Sequence, residues 1–163
     1  MFMLCDSLDL AAAQIPKSGV TSVNRWLRGV GRAVSNDEAM KASRRVAFIR
    51  HPMERLKSCY SMMHYQKEQG EPHWSGAPTD SWPEFVDYIL THDNAHWNPQ
   101  VSIVGDVPNT YHRLENVAQH CQKYVPGGFP HANRSKRVSV EPYRTEELAA
   151  LYRDDMALWA RIN

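Results

Sequence analysis

The feature that most limits what this chain can become is a join that occurs twice: an apolar run, a cationic corner, then a helix. Val46-Ala47-Phe48-Ile49 is a compact apolar run that ends at Arg50-His51-Pro52. An apolar run without polar alternation reads as a strand buried on both faces, as in a parallel sheet. Pro52 suits the first turn of a helix, and Leu56, Cys59, Tyr60 and Met63 mark that helix's core face. Upstream, Leu8 to Ile15 is a second short apolar run, stopped by Pro16-Lys17-Ser18-Gly19. Val20, Val23, Trp26, Leu27 and Val30 then recur at helical spacing, with Asn24, Arg25 and Arg28 opposite and Gly29 and Gly31 as the stop. Strand, loop, helix, repeated, predicts an α/β fold with a small central parallel sheet flanked by helices.

The remaining pattern is helical, with one strand. Ser81, with Glu84 three residues on, is a capping box opening a helix through Phe85, Val86, Ile89 and Leu90. A short strand is predicted near Thr110 to Leu114, a helix from Glu115 to about Lys123, and a long irregular segment from Tyr124 to Arg144. Thr145 is expected to cap one final helix whose core face is Leu148, Leu151, Tyr152, Leu158, Trp159 and Ile162. There is no internal repeat. The 163 residues suit a single domain spanning 1–163, and 42% apolar with 23% charged residues is a globular balance.

A net charge of +1 gives no broad basic surface for nucleic acid or an anionic membrane, so any anion site must be local. No stretch reaches the about 20 apolar residues of a membrane span. Asp6 and Asp9 replace the basic region a signal peptide would need. Cys5, Cys59 and Cys121 form neither a close pair nor an even set, and Cys59 and Cys121, on apolar helical faces, read as buried reduced thiols. A cytoplasmic, reducing location is the expectation. His92 and His96 are four apart, but with His64 and His73 they supply no third convincing ligand, so no metal is expected.

The first corner has the chemistry of an anion site. A helix start presents N–H groups without intrahelical partners and a partial positive charge. Lys17 adds a full charge, and Ser18, Thr21 and Ser22 add hydroxyls. It is not the nucleotide loop GxxxxGK[ST], because Lys17 precedes the only glycine. The bland alternative is an ordinary strand-to-helix turn with a solvated lysine. At the second corner Arg50 closes a strand, and Ser58 lies eight residues on in the following helix, a pair able to clamp a second phosphate. The alternative is that Arg50 and Arg55 form surface ion pairs with residues such as Glu54.

At these corners the chain resembles a known family. Pro16-Lys17-Ser18-Gly19-Val20-Thr21-Ser22 is similar to the 5′-phosphosulfate loop of sulfotransferases, and Arg50-His51-Pro52-Met53-Glu54-Arg55-Leu56-Lys57-Ser58-Cys59-Tyr60 to their 3′-phosphate loop. The second has the form found in carbohydrate sulfotransferases of the Golgi HNK-1, chondroitin and dermatan type and their bacterial relatives. The likeness continues in order through Phe85–Leu90, His96-Trp97-Asn98-Pro99-Gln100, Arg113-Leu114-Glu115-Asn116, Asn133-Arg134-Ser135 and Leu151-Tyr152-Arg153-Asp154-Asp155.

The resemblance implies a P-loop-like sulfotransferase fold. It also implies transfer of a sulfuryl group from 3′-phosphoadenosine 5′-phosphosulfate (PAPS) to a carbohydrate or other hydroxyl acceptor, without a metal, leaving 3′,5′-adenosine bisphosphate (PAP). By similarity Lys17, Ser18, Gly19, Val20, Thr21 and Ser22 hold the 5′-phosphosulfate, and Arg50 and Ser58 the 3′-phosphate. Ser135 and Lys136, in a late loop, are further phosphate contacts on this reading, or belong to a solvated basic loop. Lys17 offsets charge on the oxygen that the sulfuryl group leaves. His96 is the first candidate for general base, because imidazole titrates near neutrality. Glu115 and His92 are alternatives, as are Asp37 and Glu38 if they sit opposite Lys17. Equally, His96 serves to orient its loop against Trp97. Trp74 and Trp97 are loop tryptophans that serve either as a sugar platform or as packing anchors. A reading as a binding module that holds nucleotide or sulfated glycan without turnover stands beside the enzyme reading.

Overall fold

The computed structural model describes residues 1–27, 29–71, 76–121 and 138–162. Its centre is a five-stranded sheet: β1 (Phe2–Cys5), β2 (Leu10–Ala13), β3 (Arg32–Val34), β4 (Arg44–Ile49) and β5 (Thr110–Arg113), ordered β3-β1-β2-β4-β5. The helices are α1 (Val20–Trp26), α2 (Asn36–Ala39), α3 (Pro52–Glu68), α4 (Trp82–Ile89), α5 (Gln100–Val104), α6 (Val117–Cys121), α7 (Thr145–Leu151) and α8 (Arg153–Arg161). β2, β4 and β5 form the expected parallel array, with Ala12 opposite Val46 and Ile49 opposite Arg113.

The sheet is not purely parallel. Phe2–Cys5 forms a strand that composition alone did not flag, and it runs antiparallel to both β2 and β3. The predicted run from Leu8 to Ile15 thus becomes the second arm of a hairpin. A 3-10 turn at Asp6–Leu8 and a left-handed Asp9 (φ 49°) make the bend.

β2 is central, and its alanines follow from that position. Leu10 and Ala12 face one layer with Val23, Leu27, Val46 and Phe48, while Ala11, Ala13 and Ile15 face the other with Phe2, Ala47 and Ile49. A strand covered on both faces alternates between two cores, and small side chains there let both layers approach closely. A third apolar cluster joins α3 and α4 to the final helices through Leu56, Tyr60, Met63, Phe85, Trp97, Leu148 and Tyr152.

Several helix boundaries differ from expectation. α1 ends at Trp26 with Leu27 as its cap, so Val30 lies beyond the helix and is exposed. β3 and α2 occupy the short stretch before β4, and α5 follows the loop that carries His96. A 3-10 turn at Leu114–Asn116 precedes α6 where one helix was predicted. The final helix is two, α7 and α8, meeting at Tyr152, and Arg144 rather than Thr145 precedes its first turn. The Ser81 cap is present, its hydroxyl accepting from the Glu84 N–H, and Pro52 opens α3. Among the described residues no helix is long and apolar enough to cross a membrane.

Candidate functional site

Parallel pairing of β2 with β4 places the ends of both strands, and hence both cationic corners, on the same edge of the sheet. The contact between them is direct: Arg50 Nη1 donates to the Lys17 carbonyl at 3.2 Å. Lys17 itself is left-handed (φ 65°), a conformation that costs a non-glycine residue about 1–2 kcal/mol. Gly19 follows at φ 82° as the cap of α1, and a Cβ there would lie 2.6 Å from Leu114 Cδ1. Among the described residues the N–H groups of Gly19, Val20 and Thr21 have no backbone acceptor, as befits a helix start.

Lys17 Nζ donates to Met62 Sδ at 3.2 Å. Burial pushes its pKa down; a nearby Cys59 opposes this and the Arg50 charge adds to it. Cys59 is buried, which raises its thiol to about 11, and at neutral pH it is a protonated, inert neighbour. Ser22 and Ser58 are buried on α1 and α3, and Thr21 is exposed.

Beneath the corners lies a polar knot that sequence reasoning did not single out. Gln100 is fully buried, and its Oε1 accepts from the Ser18 hydroxyl (2.7 Å) and from the Arg50 N–H (3.0 Å). Its Nε2 donates to the Arg50 carbonyl (2.8 Å) and to Asp155 Oδ2 (3.1 Å). Asp155, also fully buried, accepts from the backbone N–H groups of Gln100 (2.8 Å) and Val101 (2.9 Å). One amide side chain thus sets Ser18 against Arg50, and a carboxylate from α8 holds that amide. Ser18's single hydroxyl proton is engaged inside the protein. The only signal for this knot was a polar residue at the end of two family-like blocks, His96–Gln100 and Leu151–Asp155.

Arg55 also differs from the surface ion pair considered for it. It is 1% exposed, and its guanidinium donates to three carbonyls: Pro16 (2.9 Å), Asn98 (2.8 Å) and Ala95 (2.7 Å). Glu54 forms a salt bridge with Lys57 at 3.5 Å.

His96 lies close enough to Lys17 and Arg55 for both charges to act on it. Burial first, then those two cations, push its pKa down to about 4. The reason given for choosing it, titration near neutrality, therefore does not hold: His96 is neutral at pH 7. Asn94 Oδ1 accepts from both the His96 N–H (3.0 Å) and its Nδ1 (3.0 Å). That assigns the ring proton to Nδ1 and the lone pair to Nε2.

The other candidates have different surroundings. His92 is exposed, stacked on Tyr88 with 3.8 Å between ring centroids. Glu38 pairs with Arg32 at 2.5 Å and borders a cleft with Asp6 and Asp9 at the start of β2, the end opposite Lys17, while Asp37 is exposed on α2. Glu115 is exposed in the 3-10 turn beside Leu114, whose side chain packs against Gly19, and so borders the first corner. Trp97 is 1% exposed, with its Nε1 donating to the His92 carbonyl, and is a packing anchor. His64 Nδ1 lies 2.9 Å from the Thr79 carbonyl. Ser135, Lys136, His73 and Trp74 lie outside the described residues.

Two cationic corners, side by side at the ends of adjacent parallel strands, define an α/β protein whose polar edge suits a ligand with more than one anionic group. Residues 1–125 match the Sulfotransferase family, and the chain belongs to it. No curated protein and no solved structure matches the chain.

Proposed function

We propose that this chain transfers a sulfuryl group from PAPS to a hydroxyl of a carbohydrate acceptor, on a P-loop-like arrangement of β2, its corner and α1. The observation that carries the reading is the 3.2 Å contact between the Arg50 guanidinium and the Lys17 carbonyl. It makes the two corners neighbours, as one ligand with two separated anionic groups requires. The donor set fits such a ligand: a lysine, an arginine, hydroxyls and N–H groups at a helix start.

The donor supplies an activated sulfuryl group, which passes to the acceptor oxygen while the anhydride oxygen departs with the nucleotide. Lys17, with the N–H groups of Gly19, Val20 and Thr21 and the Ser22 hydroxyl, lines the 5′ end. Arg50 and Ser58 take the 3′-phosphate, and Ser135 and Lys136 extend that set by resemblance. Ser18 fixes its loop from inside through Gln100. Lys17 stabilises the charge that develops on the departing oxygen, and His96 Nε2 receives the acceptor's proton. Neutral at pH 7, His96 can take that proton, as a weaker base than an ordinary imidazole.

Two measurements test this. PAP at a hundred times its dissociation constant should stabilise the fold by about 2.7 kcal/mol, read as a rise of several degrees in melting temperature. Lys17→Ala should lower transfer of ³⁵S-sulfate from labelled donor to a saccharide panel by about 10²–10³-fold, with the far-ultraviolet circular dichroism unchanged. PAP binding without transfer to any acceptor would favour the binding module. No stabilisation by PAP would remove the nucleotide reading altogether.

A further inference from the structure

A buried guanidinium with no carboxylate bonded to it among the described residues needs an explanation, because an arginine is costly to desolvate and an apolar side chain fills the same space without that cost. What the planar fork offers, and a lysine or leucine does not, is several N–H groups held in fixed and different directions. In Arg55 these reach two separate segments: Nε donates to Pro16, while Nη1 and Nη2 donate to Asn98 and Ala95. Pro16 immediately precedes Lys17. Ala95 immediately precedes His96, and Asn98 follows it by two residues. The three acceptors therefore bracket the two side chains that the proposed chemistry needs at one place.

We propose that Arg55 is a positioning residue, whose three carbonyl contacts set the Lys17 loop against the His96 loop so that ammonium and imidazole address the same reacting pair. This rests on the reading of Lys17 and His96 given above, but its structural part stands apart from it. Two further contacts support the loops: Gln100, four residues after His96, accepts from Ser18, and Tyr152 Oη donates to the Trp97 carbonyl at 2.6 Å. Arg55 alone among the described residues donates to backbone carbonyls on both sides, Pro16 in one loop and Ala95 and Asn98 in the other. It comes from α3, the helix that also carries Ser58, so the 3′-phosphate corner, the Lys17 loop and the His96 loop share one rigid element.

The test uses the full chain with Arg55→Met and Arg55→Lys, followed by hydrogen exchange at the backbone and by transfer kinetics. Both variants should melt cooperatively. Amides in residues 14–19 and 92–99 should exchange at least about tenfold faster, with β1, β2 and β4 unchanged. On whichever acceptor the saccharide panel yields, kcat should fall about 10²-fold, with KM for the donor within about threefold. Lysine should not rescue, since one ammonium on a shorter stem cannot meet three carbonyls in two segments. Wild-type exchange in those loops, rescue of kcat by Arg55→Lys, or loss of the whole fold in both variants would each overturn the proposal. The last would mean that Arg55 holds the molecule rather than the two loops. If the wild-type chain transfers nothing, the enzymatic reading falls, and the exchange data alone decide on Arg55.

Discussion

His96 shows how neighbours change what a side chain can do. Partial burial and the charges of Lys17 and Arg55 together disfavour its protonated form, moving it from the ordinary 6.5 to about 4. Between those values the unfolded chain holds the proton and the folded chain does not. Stability should therefore fall as pH drops from about 6.5 to about 4, and this contribution should be fully present above 6.5. His96→Gln should flatten that part of the curve in urea denaturation carried out across the range. Ligand binding should act in the opposite sense, since a multiply charged anion beside Lys17 offsets the cations that depress the imidazole. NMR titration of the His96 ring with and without PAP should show a higher pKa in the complex. An unchanged value would place the anion away from Lys17.

At the scale of elements, the join between β2 and α1 depends on backbone conformations more than on side-chain bonds. Lys17 and Gly19 are both left-handed, and α1 begins without a side-chain cap. Gly19→Ala should destabilise the fold by about 1–2 kcal/mol from the dihedral alone. The Cβ also meets Leu114 Cδ1 at 2.6 Å, although that is the far end of a flexible side chain. Urea denaturation of Gly19→Ala and of Gly19→Ala with Leu114→Ala separates the two effects: only the contact part should be recovered in the double variant. Both should weaken PAP binding, because the N–H groups of the first turn shift with the corner. At α3 the sequence already contained the outcome, Pro52 at the first turn and Leu56, Cys59, Tyr60 and Met63 inward, because helical periodicity is a local property.

Across the whole molecule, the knot of Gln100 and Asp155 ties chain segments far apart in sequence into one support for the polar edge. Asp155→Asn keeps the shape but turns one acceptor oxygen into a donor facing N–H groups that already need acceptors. Leaving such a buried group unsatisfied costs about 1–3 kcal/mol. The variant should melt several degrees lower, and calorimetry should show weaker PAP binding, although Asp155 belongs to α8 and is fully buried. A variant that loses stability but keeps wild-type PAP affinity would show that the knot supports the fold and not the corners.

The amino-acid order alone determined what is local: the apolar runs of β2 and β4, the lysine and arginine that end them, the periodicity of α1, α3 and α4, and the hydroxyls within reach of each corner. It did not show that Phe2–Cys5 would pair with two neighbours, because a four-residue strand has no pattern of its own until the sheet exists. Nor did it show that Arg55 turns inward, that Gln100 joins Ser18 to Arg50, or that His96 loses its usual basicity. Each of these depends on which groups from distant parts of the chain end up within a few ångströms. Burial and electrostatics are set by that company, and only the packed structure assembles it.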